Sequence, residues 1–295
     1  MPPITRVGVL GCGLMGSGIA QVAATAGFST LVRDLSEELL ERGRAGIRRS
    51  LDKLVEKGKL DAAGREAALA RLGFTTDLTT LRDRDLVIEA VTEDLDLKNG
   101  LWRELDALCP PTTLFASNTS SLAIAQMAAA TARPDRFVGL HFFNPVPLMP
   151  LVEVIRTVTT SEPTLEAALG FARALGKEPI VARDRSGFIV NLLLVPYLLD
   201  AVRALERGVG TVGDIDRGMQ LGCGHPMGPF ALLDFVGLDT TLRIGDIMFE
   251  EYREPRYAPP PLLRRMVTAG LQGRKSGRGF YDYASDPPHP LDLGL

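Results

Sequence analysis

The pattern of apolar and polar residues changes character near residue 185 of the 295-residue chain. Up to that point, short apolar runs alternate with stretches whose apolar residues recur at helical spacing. The runs lie near 4–10, 28–33, 86–91, 113–117, 136–140, 150–155 and 178–182. Helices are predicted between them near 95–108, 121–130 and 163–176. Strands that alternate with helices predict an α/β fold in which a mostly parallel sheet is covered on both faces.

Beyond residue 185 the strand patterns stop. Helices are predicted over 189–207, 212–221, 230–253 and 259–271, with a connector at 255–261 and a loose tail at 284–295. Some of these helices are apolar nearly all round, which is typical of faces buried against a partner subunit. We therefore predict a Rossmann-type domain over residues 1–185 and an all-helical domain over 186–295 that binds substrate and forms a homodimer.

Residues 36–71 interrupt the alternation. Their pattern is helical and charged, and the stretch is too long for one crossover helix. A break is expected near Gly58. We predict a helical hairpin, two antiparallel helices that project from the sheet.

Composition and charge narrow the classes of function. A net charge of −3 offers no general attraction for nucleic acid or a membrane surface. No stretch reaches the roughly 20 apolar residues that span a bilayer, and the first residues lack a signal-peptide pattern, so a cytoplasmic location is expected. Three dispersed cysteines, Cys12, Cys109 and Cys223, predict neither a disulfide framework nor a metal site.

A glycine-rich motif follows the first predicted strand and opens a helix. It consists of Gly11, Cys12, Gly13, Leu14, Met15 and Gly16. In this context the first glycine permits a tight turn, the second admits a pyrophosphate, and the third lets helix and strand pack closely. The helix amino terminus then faces the phosphates. The alternatives are a related nucleotide such as FAD and a glycine-rich turn that binds nothing.

Asp34 ends the second predicted strand, 18 residues after Gly16. A carboxylate there can accept hydrogen bonds from the ribose hydroxyls of NAD and would repel a 2′-phosphate. Arg33 beside it leaves NADP open, because arginine can accommodate that phosphate.

His141 is the histidine with a candidate chemical role. It follows a predicted strand at the carboxyl end, where open α/β sheets bind ligands. Glu153 interrupts an apolar run twelve residues later and needs a polar partner. A carboxylate-held histidine is a usual base for alcohols. Taken singly, His141 is equally well a histidine at a strand end whose hydrogen bonds are satisfied within the fold. Glu153 is equally well an acid that faces solvent. His225 is interpreted as structural and His289 as solvated.

Several sequence blocks together resemble the L-3-hydroxyacyl-CoA dehydrogenase family over about residues 4–284. The blocks lie at 11–21, 117–122, 141–145, 151–155, 187–191, 225–229 and 273–281. The resemblance implies that NAD is the cofactor, that an acyl-CoA is the substrate, and that His141 accepts a proton while Glu153 orients it. It further implies that Ser120 and Asn191 are polar partners at the reaction centre.

By the same resemblance, further residues contact the two ligands. Those expected at the nucleotide are Glu93, Lys98, Ser120, Asn144 and Lys275. Ser50, Lys57 and Ser120 are expected to contact the acyl-CoA. Independently of the resemblance, residues 42–59 carry seven basic and two acidic side chains, a net charge of +5. This stretch could present a cationic face to the coenzyme's phosphates, although an ordinary solvated helix has the same pattern.

Two rival functions remain at this stage. One is a dehydrogenase of free 3-hydroxy acids, which shares the domain order but typically uses a lysine as its acid/base group. The other is a non-catalytic nucleotide-binding relative, because a fold does not guarantee activity.

Overall fold

The computed structural model describes residues 3–294, which divide into two compact units at Phe188 and Ile189. The first unit contains eight strands and six α-helices among its described residues. In chain order these are β1 (Arg6–Leu10), α1 (Leu14–Thr25), β2 (Ser29–Arg33), α2 (Glu37–Glu56), α3 (Ala62–Ala70), β3 (Leu72–Thr75), β4 (Leu86–Glu89), α4 (Leu95–Leu108), β5 (Leu114–Ser117), α5 (Ile124–Ala128), β6 (Phe137–Phe142), β7 (Leu151–Arg156), α6 (Glu162–Ala174) and β8 (Glu178–Arg183).

The eight strands form one sheet in the order β3-β2-β1-β4-β5-β6-β7-β8. Neighbouring strands are parallel except β6 and β7, which pair antiparallel. The predicted α/β class with a mostly parallel sheet is confirmed. Strands β4, β5 and β6 are buried along their whole length, as expected where helices cover both faces. The strand order reverses between β1 and β4, and such a reversal opens a crevice at the carboxyl ends of the strands.

The predicted helical pair consists of α2 and α3. Ser36 caps α2, because its hydroxyl accepts a hydrogen bond from the Leu39 N–H at 3.3 Å. The expected break is present at Gly58, which has a φ of +64°. Helix α2 lies directly against the glycine-rich loop: a Cβ added to Gly43 would lie 2.1 Å from the Cys12 sulfur. A larger residue at 43 would therefore push the two elements apart.

Two elements of this unit differ from their predictions. Strand β3 was not predicted, because its four residues are only partly buried and form the edge of the sheet, where the apolar signal is weakest. The helix expected over 121–130 is confined to α5. Residues 118–123, which precede it, instead form a turn held by side-chain hydrogen bonds.

The second unit is helical around its own apolar core, which includes Phe230, Leu233, Met248 and Phe280. Its elements are α7 (Val190–Glu206), α8 (Val212–Cys223), α9 (Pro229–Val236), α10 (Leu238–Tyr252), α11 (Pro261–Thr268), β9 (Tyr281–Asp282) and β10 (His289–Pro290).

Two predictions for this unit are corrected. The single helix expected over 230–253 is two helices, because Gly237 adopts a φ of +101° that interrupts the regular backbone. The tail expected to be loose contains β10, which pairs antiparallel with β9 just before the tail. Asp234 stabilises this end, since its carboxylate accepts the Phe280 and Tyr281 N–H groups at 2.9 Å each.

Within residues 3–294, no helix combines the length and apolar character needed to cross a membrane.

Candidate active site

The loop between β1 and α1 has the geometry of a phosphate cradle. Gly11 has a φ of +93°, and a Cβ there would lie 2.6 Å from the Ala90 carbonyl oxygen. A Cβ on Gly16 would lie 1.9 Å from the carbonyl oxygen of Gly11, so α1 approaches the loop closely. Around Gly13, by contrast, a Cβ would meet nothing within 4 Å. Helix α1 has no side-chain cap, which leaves its first-turn N–H groups for an anion.

Asp34 braces this loop from the end of β2. One carboxylate oxygen accepts the Cys12 N–H at 2.6 Å, and the other accepts the Leu35 N–H at 2.7 Å. The carboxylate therefore lies beside the glycine-rich loop, in the position where dinucleotide-binding folds place the acid that hydrogen-bonds the adenosine ribose. The Arg33 guanidinium donates instead to the Thr76 carbonyl at 3.2 Å, next to β3. These residues fit NAD.

His141 and Glu153 face each other across the antiparallel strands β6 and β7, as direct register partners. The distance from His141 Nδ1 to Glu153 Oε2 is 2.7 Å, and the side chains are 4% and 0% exposed. The antiparallel pairing explains the contact, because residues opposite each other in such a pair place their side chains on one face. An acceptor at Nδ1 places the ring proton there and leaves the Nε2 lone pair available.

Ser120 completes the arrangement on the other side of the imidazole. Its Oγ lies 3.0 Å from His141 Nε2. The rings of Phe143 and Phe188 lie 4.6 and 5.4 Å from the imidazole, measured between centroids. A hydroxyl and one ring nitrogen thus meet at the carboxyl ends of the strands, within an apolar surrounding.

Glu93 joins Ser120 to a second group of predicted cofactor residues. Its Oε1 accepts hydrogen bonds from the Ser120 N–H at 3.2 Å and the Ser121 hydroxyl at 3.1 Å, and Thr119 also donates to it. Its Oε2 lies 3.2 Å from the Lys98 ammonium. Burial by itself would raise the pKa of Glu93, but the attraction of Lys98 and these hydrogen bonds outweigh it, and the pKa is lowered. Glu93 is therefore an anion at neutral pH.

Lys98 is buried more deeply than its predicted contact with the nucleotide suggests. Its side chain is 1% exposed, whereas that of Glu93 is 20% exposed. The buried ammonium forms an ion pair with Glu89, whose Oε1 lies 2.5 Å away. Sequence reasoning missed Glu89. The available signal was a single carboxylate at the end of an apolar strand.

Asn144 and Ser50 border a common cavity of about 390 Å³ next to the glycine-rich loop. Its walls also include Cys12, Gly13 and Leu14, so the cavity joins predicted cofactor residues to a predicted coenzyme A residue. Lys57 is exposed and caps the carboxyl end of α2.

Lys177 is a second residue that sequence reasoning missed. Its ammonium donates to the carbonyl oxygens of Val146 and Met149 at 2.6 and 2.8 Å. Both carbonyls belong to residues 143–150, the segment that joins β6 to β7 and carries Asn144. Burial lowers the pKa of Lys177.

Two predicted residues belong to the second unit. Asn191 is half-buried in the first turn of α7. Lys275 lies in a short 3₁₀ turn and forms an ion pair with Asp239. Their roles at the cofactor and substrate stay predictions.

A metal centre has no support in the part of the chain that the structure describes, where no group of three His, Cys, Asp or Glu side chains could hold an ion.

Comparison with known families matches almost the whole chain. Residues 6–185 match the NAD binding domain of 3-hydroxyacyl-CoA dehydrogenase, and residues 187–283 match the C-terminal domain of the same family.

Individual relatives agree. The chain is 54% identical over 282 residues to a 3-hydroxybutyryl-CoA dehydrogenase of Mycobacterium tuberculosis, an alignment covering 95% of this chain and 99% of that protein. It is 48% identical to the human mitochondrial hydroxyacyl-coenzyme A dehydrogenase, covering 95% and 91% of the two chains. Among solved structures, the (S)-3-hydroxybutyryl-CoA dehydrogenase PaaH1 from Ralstonia eutropha is similar with a TM-score of 0.91 and 44% identity, covering 96% of this chain and 100% of that one.

Proposed function

The chain belongs to the 3-hydroxyacyl-CoA dehydrogenase family, and we propose that it transfers a hydride between C3 of a short-chain (S)-3-hydroxyacyl-CoA, such as 3-hydroxybutyryl-CoA, and NAD. The observation that carries the proposal is the hydrogen-bonded series Ser120, His141 and Glu153 at the carboxyl ends of the strands. The first unit, which contains the Rossmann-type domain predicted over 1–185 and its glycine-rich motif, binds the nucleotide. The helical part, 186–295, supplies substrate contacts and the subunit interface.

His141 acts as the proton acceptor in the direction of oxidation. Its Nε2 takes the proton of the substrate hydroxyl as C3 loses a hydride, and the C3–O bond becomes the carbonyl of a 3-ketoacyl thioester. NAD, when bound, supplies the hydride acceptor. In the reverse direction the imidazolium returns the proton to the carbonyl oxygen.

Glu153 supports this transfer through charge and orientation. Its carboxylate at Nδ1 holds the ring and stabilises the imidazolium that forms. Ser120 Oγ, 3.0 Å from Nε2, lies where it can donate a hydrogen bond to the substrate oxygen. Asn191 is proposed as a further polar partner there.

The remaining cofactor contacts are proposed around the phosphate cradle, the loop between β1 and α1. The glycine-rich loop and the first turn of α1 bind the pyrophosphate, and Asp34 binds the ribose. Glu93, Lys98, Asn144 and Lys275 are proposed to contact the nucleotide, the buried Lys98 acting through its ion pair with Glu93.

Coenzyme A is proposed to lie along α2. Ser50 borders the cavity, and Lys57 is exposed at the helix end, seven residues away. The basic side chains of residues 42–59 offer charge to the coenzyme's phosphates.

A homodimer is proposed through the helical unit. Several large apolar side chains of that unit are exposed in the single chain, among them Leu193, Val209 and Leu221. Isolated exposed apolar residues are ordinary, but several on one helical unit favour a subunit contact. A cytoplasmic location is also proposed, since all three cysteines are free, as in a reducing compartment.

A spectrophotometric assay tests the function. NADH consumption by the purified protein is measured with acetoacetyl-CoA and, separately, with free acetoacetate. The proposal predicts rapid NADH oxidation with the thioester and little with the free acid. Preference for the free acid would indicate the rival dehydrogenase, and NADH binding without turnover would indicate a non-catalytic relative.

A further inference from the structure

A fully buried carboxylate ends a central strand of the sheet. Glu89 is the last residue of β4 and is 0% exposed. Its register partners are Leu10 of β1 and Ser117 of β5, so it lies at the reversal of strand order. Burying a charge in this way is costly unless it is paired and hydrogen-bonded.

Both carboxylate oxygens of Glu89 are engaged. Oε1 accepts the Val91 N–H at 2.8 Å and contacts the Lys98 ammonium at 2.5 Å. Oε2 accepts the Ser117 hydroxyl at 2.6 Å. Lys98 is itself 1% exposed, so each charge of the pair compensates the burial of the other.

Two routes lead from Glu89 to the segment 119–121, which carries Ser120. The first runs through the Lys98 ammonium to Glu93, whose Oε1 accepts donors from all three residues of the segment. The second runs through the Ser117 hydroxyl, which accepts the N–H of Thr119 at 3.2 Å.

We propose that Glu89 is a positioning residue for the cofactor site: it fixes the Lys98 ammonium and thereby holds Glu93 and the segment 119–121 in place. This inference rests on the proposed function. The ammonium lies between two carboxylates, and Glu93 also serves the donors of the segment 119–121. Without the charge of Glu89, the ammonium is attracted to Glu93 alone and competes with those donors for its oxygens.

The variant Glu89→Gln keeps the shape of the side chain and removes its charge. A matched control is Asp106→Asn, because Asp106 lies on α4 like Lys98 and pairs with the largely buried Arg133 at 2.6 Å, away from the segment 119–121. Both variants lose one charge from an ion pair that involves a residue of α4. Both are therefore expected to unfold at a lower temperature than the wild type.

The readout is the NADH dissociation constant, measured by fluorescence titration. We expect it to rise about tenfold in Glu89→Gln, the usual scale for a hydrogen bond to a charged group, and to stay at the wild-type value in Asp106→Asn. Equal dissociation constants for Glu89→Gln and the control would overturn the proposal. If Glu89→Gln does not fold, Ser117→Ala decides by the same titration, with an expected rise of about threefold.

A double-mutant cycle distinguishes positioning from a general loss of stability. If Glu89 acts through Glu93, the variant carrying both Glu89→Gln and Glu93→Gln should bind NADH about as weakly as the weaker single variant. Losses that multiply would show that the two residues act independently, which contradicts the proposal. The titration does not depend on turnover. A wild-type protein that binds NADH but fails to reduce acetoacetyl-CoA would refute the proposed function, while the cycle would still decide the role of Glu89.

Discussion

The segment 143–150, between the strands of His141 and Glu153, depends on one buried lysine. Lys177 donates to the carbonyl oxygens of Val146 and Met149 at 2.6 and 2.8 Å. We predict that Lys177→Met, which retains most of the apolar volume, loosens this segment without disturbing the sheet.

The structure sets the size of the effect. Val146 is buried, so its carbonyl loses its donor without gaining water, which costs about 1–3 kcal/mol. Met149 is 36% exposed, and water can replace the ammonium there. Removal of the ammonium also relieves the cost of burying it, a cost seen in the lowered pKa of Lys177. We therefore expect a net loss of about 1–2 kcal/mol, or a Tm lower by about 2–8 °C.

Thermal unfolding and NADH titration together test this prediction. Lys59→Met is the control, because Lys59 is exposed and the substitution removes the same charge. Since Asn144 lies in the loosened segment, the NADH dissociation constant should rise about threefold to tenfold in Lys177→Met. A Tm and an NADH affinity equal to those of Lys59→Met would refute the reasoning.

Three further substitutions each remove or reverse one charged side chain. Asp34→Ala should narrow the preference for NAD over NADP, mainly by weakening NAD, in the ratio of kcat/KM values; equal use of both by the wild type would contradict this. Lys57→Glu should raise KM for acetoacetyl-CoA at low salt and progressively less as salt screens exposed charges within ~10 Å at 0.1 M; an unchanged KM at low salt would favour a merely solvated helix face. For Asp85, burial acts to raise the pKa, but donors from Arg6 and Thr5 outweigh it and lower the pKa to about 2. The depressed pKa stabilises the fold above the ordinary value of 3.8, a contribution that declines as pH falls from about 4 through the folded-state pKa of about 2. Asp85→Asn should therefore cost about 2 kcal/mol by denaturation at pH 7 and only a small part of that at pH 2; a pH-independent cost would contradict it.

The fold was predictable where the sequence pattern is strong. The buried strands and the glycine-rich turn follow from apolar runs and from glycines that close contacts require. The edge strand β3 was missed because it is only partly buried. The break at Gly237 was missed because one glycine within an apolar helical pattern does not reveal its φ.

The candidate site was predictable where a polar residue interrupts an apolar strand near a partner in sequence. His141 and Glu153 are twelve residues apart on adjacent strands, so their pairing required only an antiparallel register. Glu89 and Lys177 meet partners up to 28 and 31 residues away, through a register and a loop path that no local pattern encodes. Lys98 was assigned to the nucleotide by resemblance, and its burial became visible only with the packing of α4.

The turnover of His141→Gln with acetoacetyl-CoA and NADH tests the role of His141 directly, with His289→Gln as an exposed histidine control. If His141 is the acid/base group, kcat should fall by about 10² to 10⁴ while the NADH dissociation constant stays near the wild-type value, and His289→Gln should match the wild type in both. Near-normal turnover in folded, NADH-binding His141→Gln protein would show that His141 is not the acid/base group.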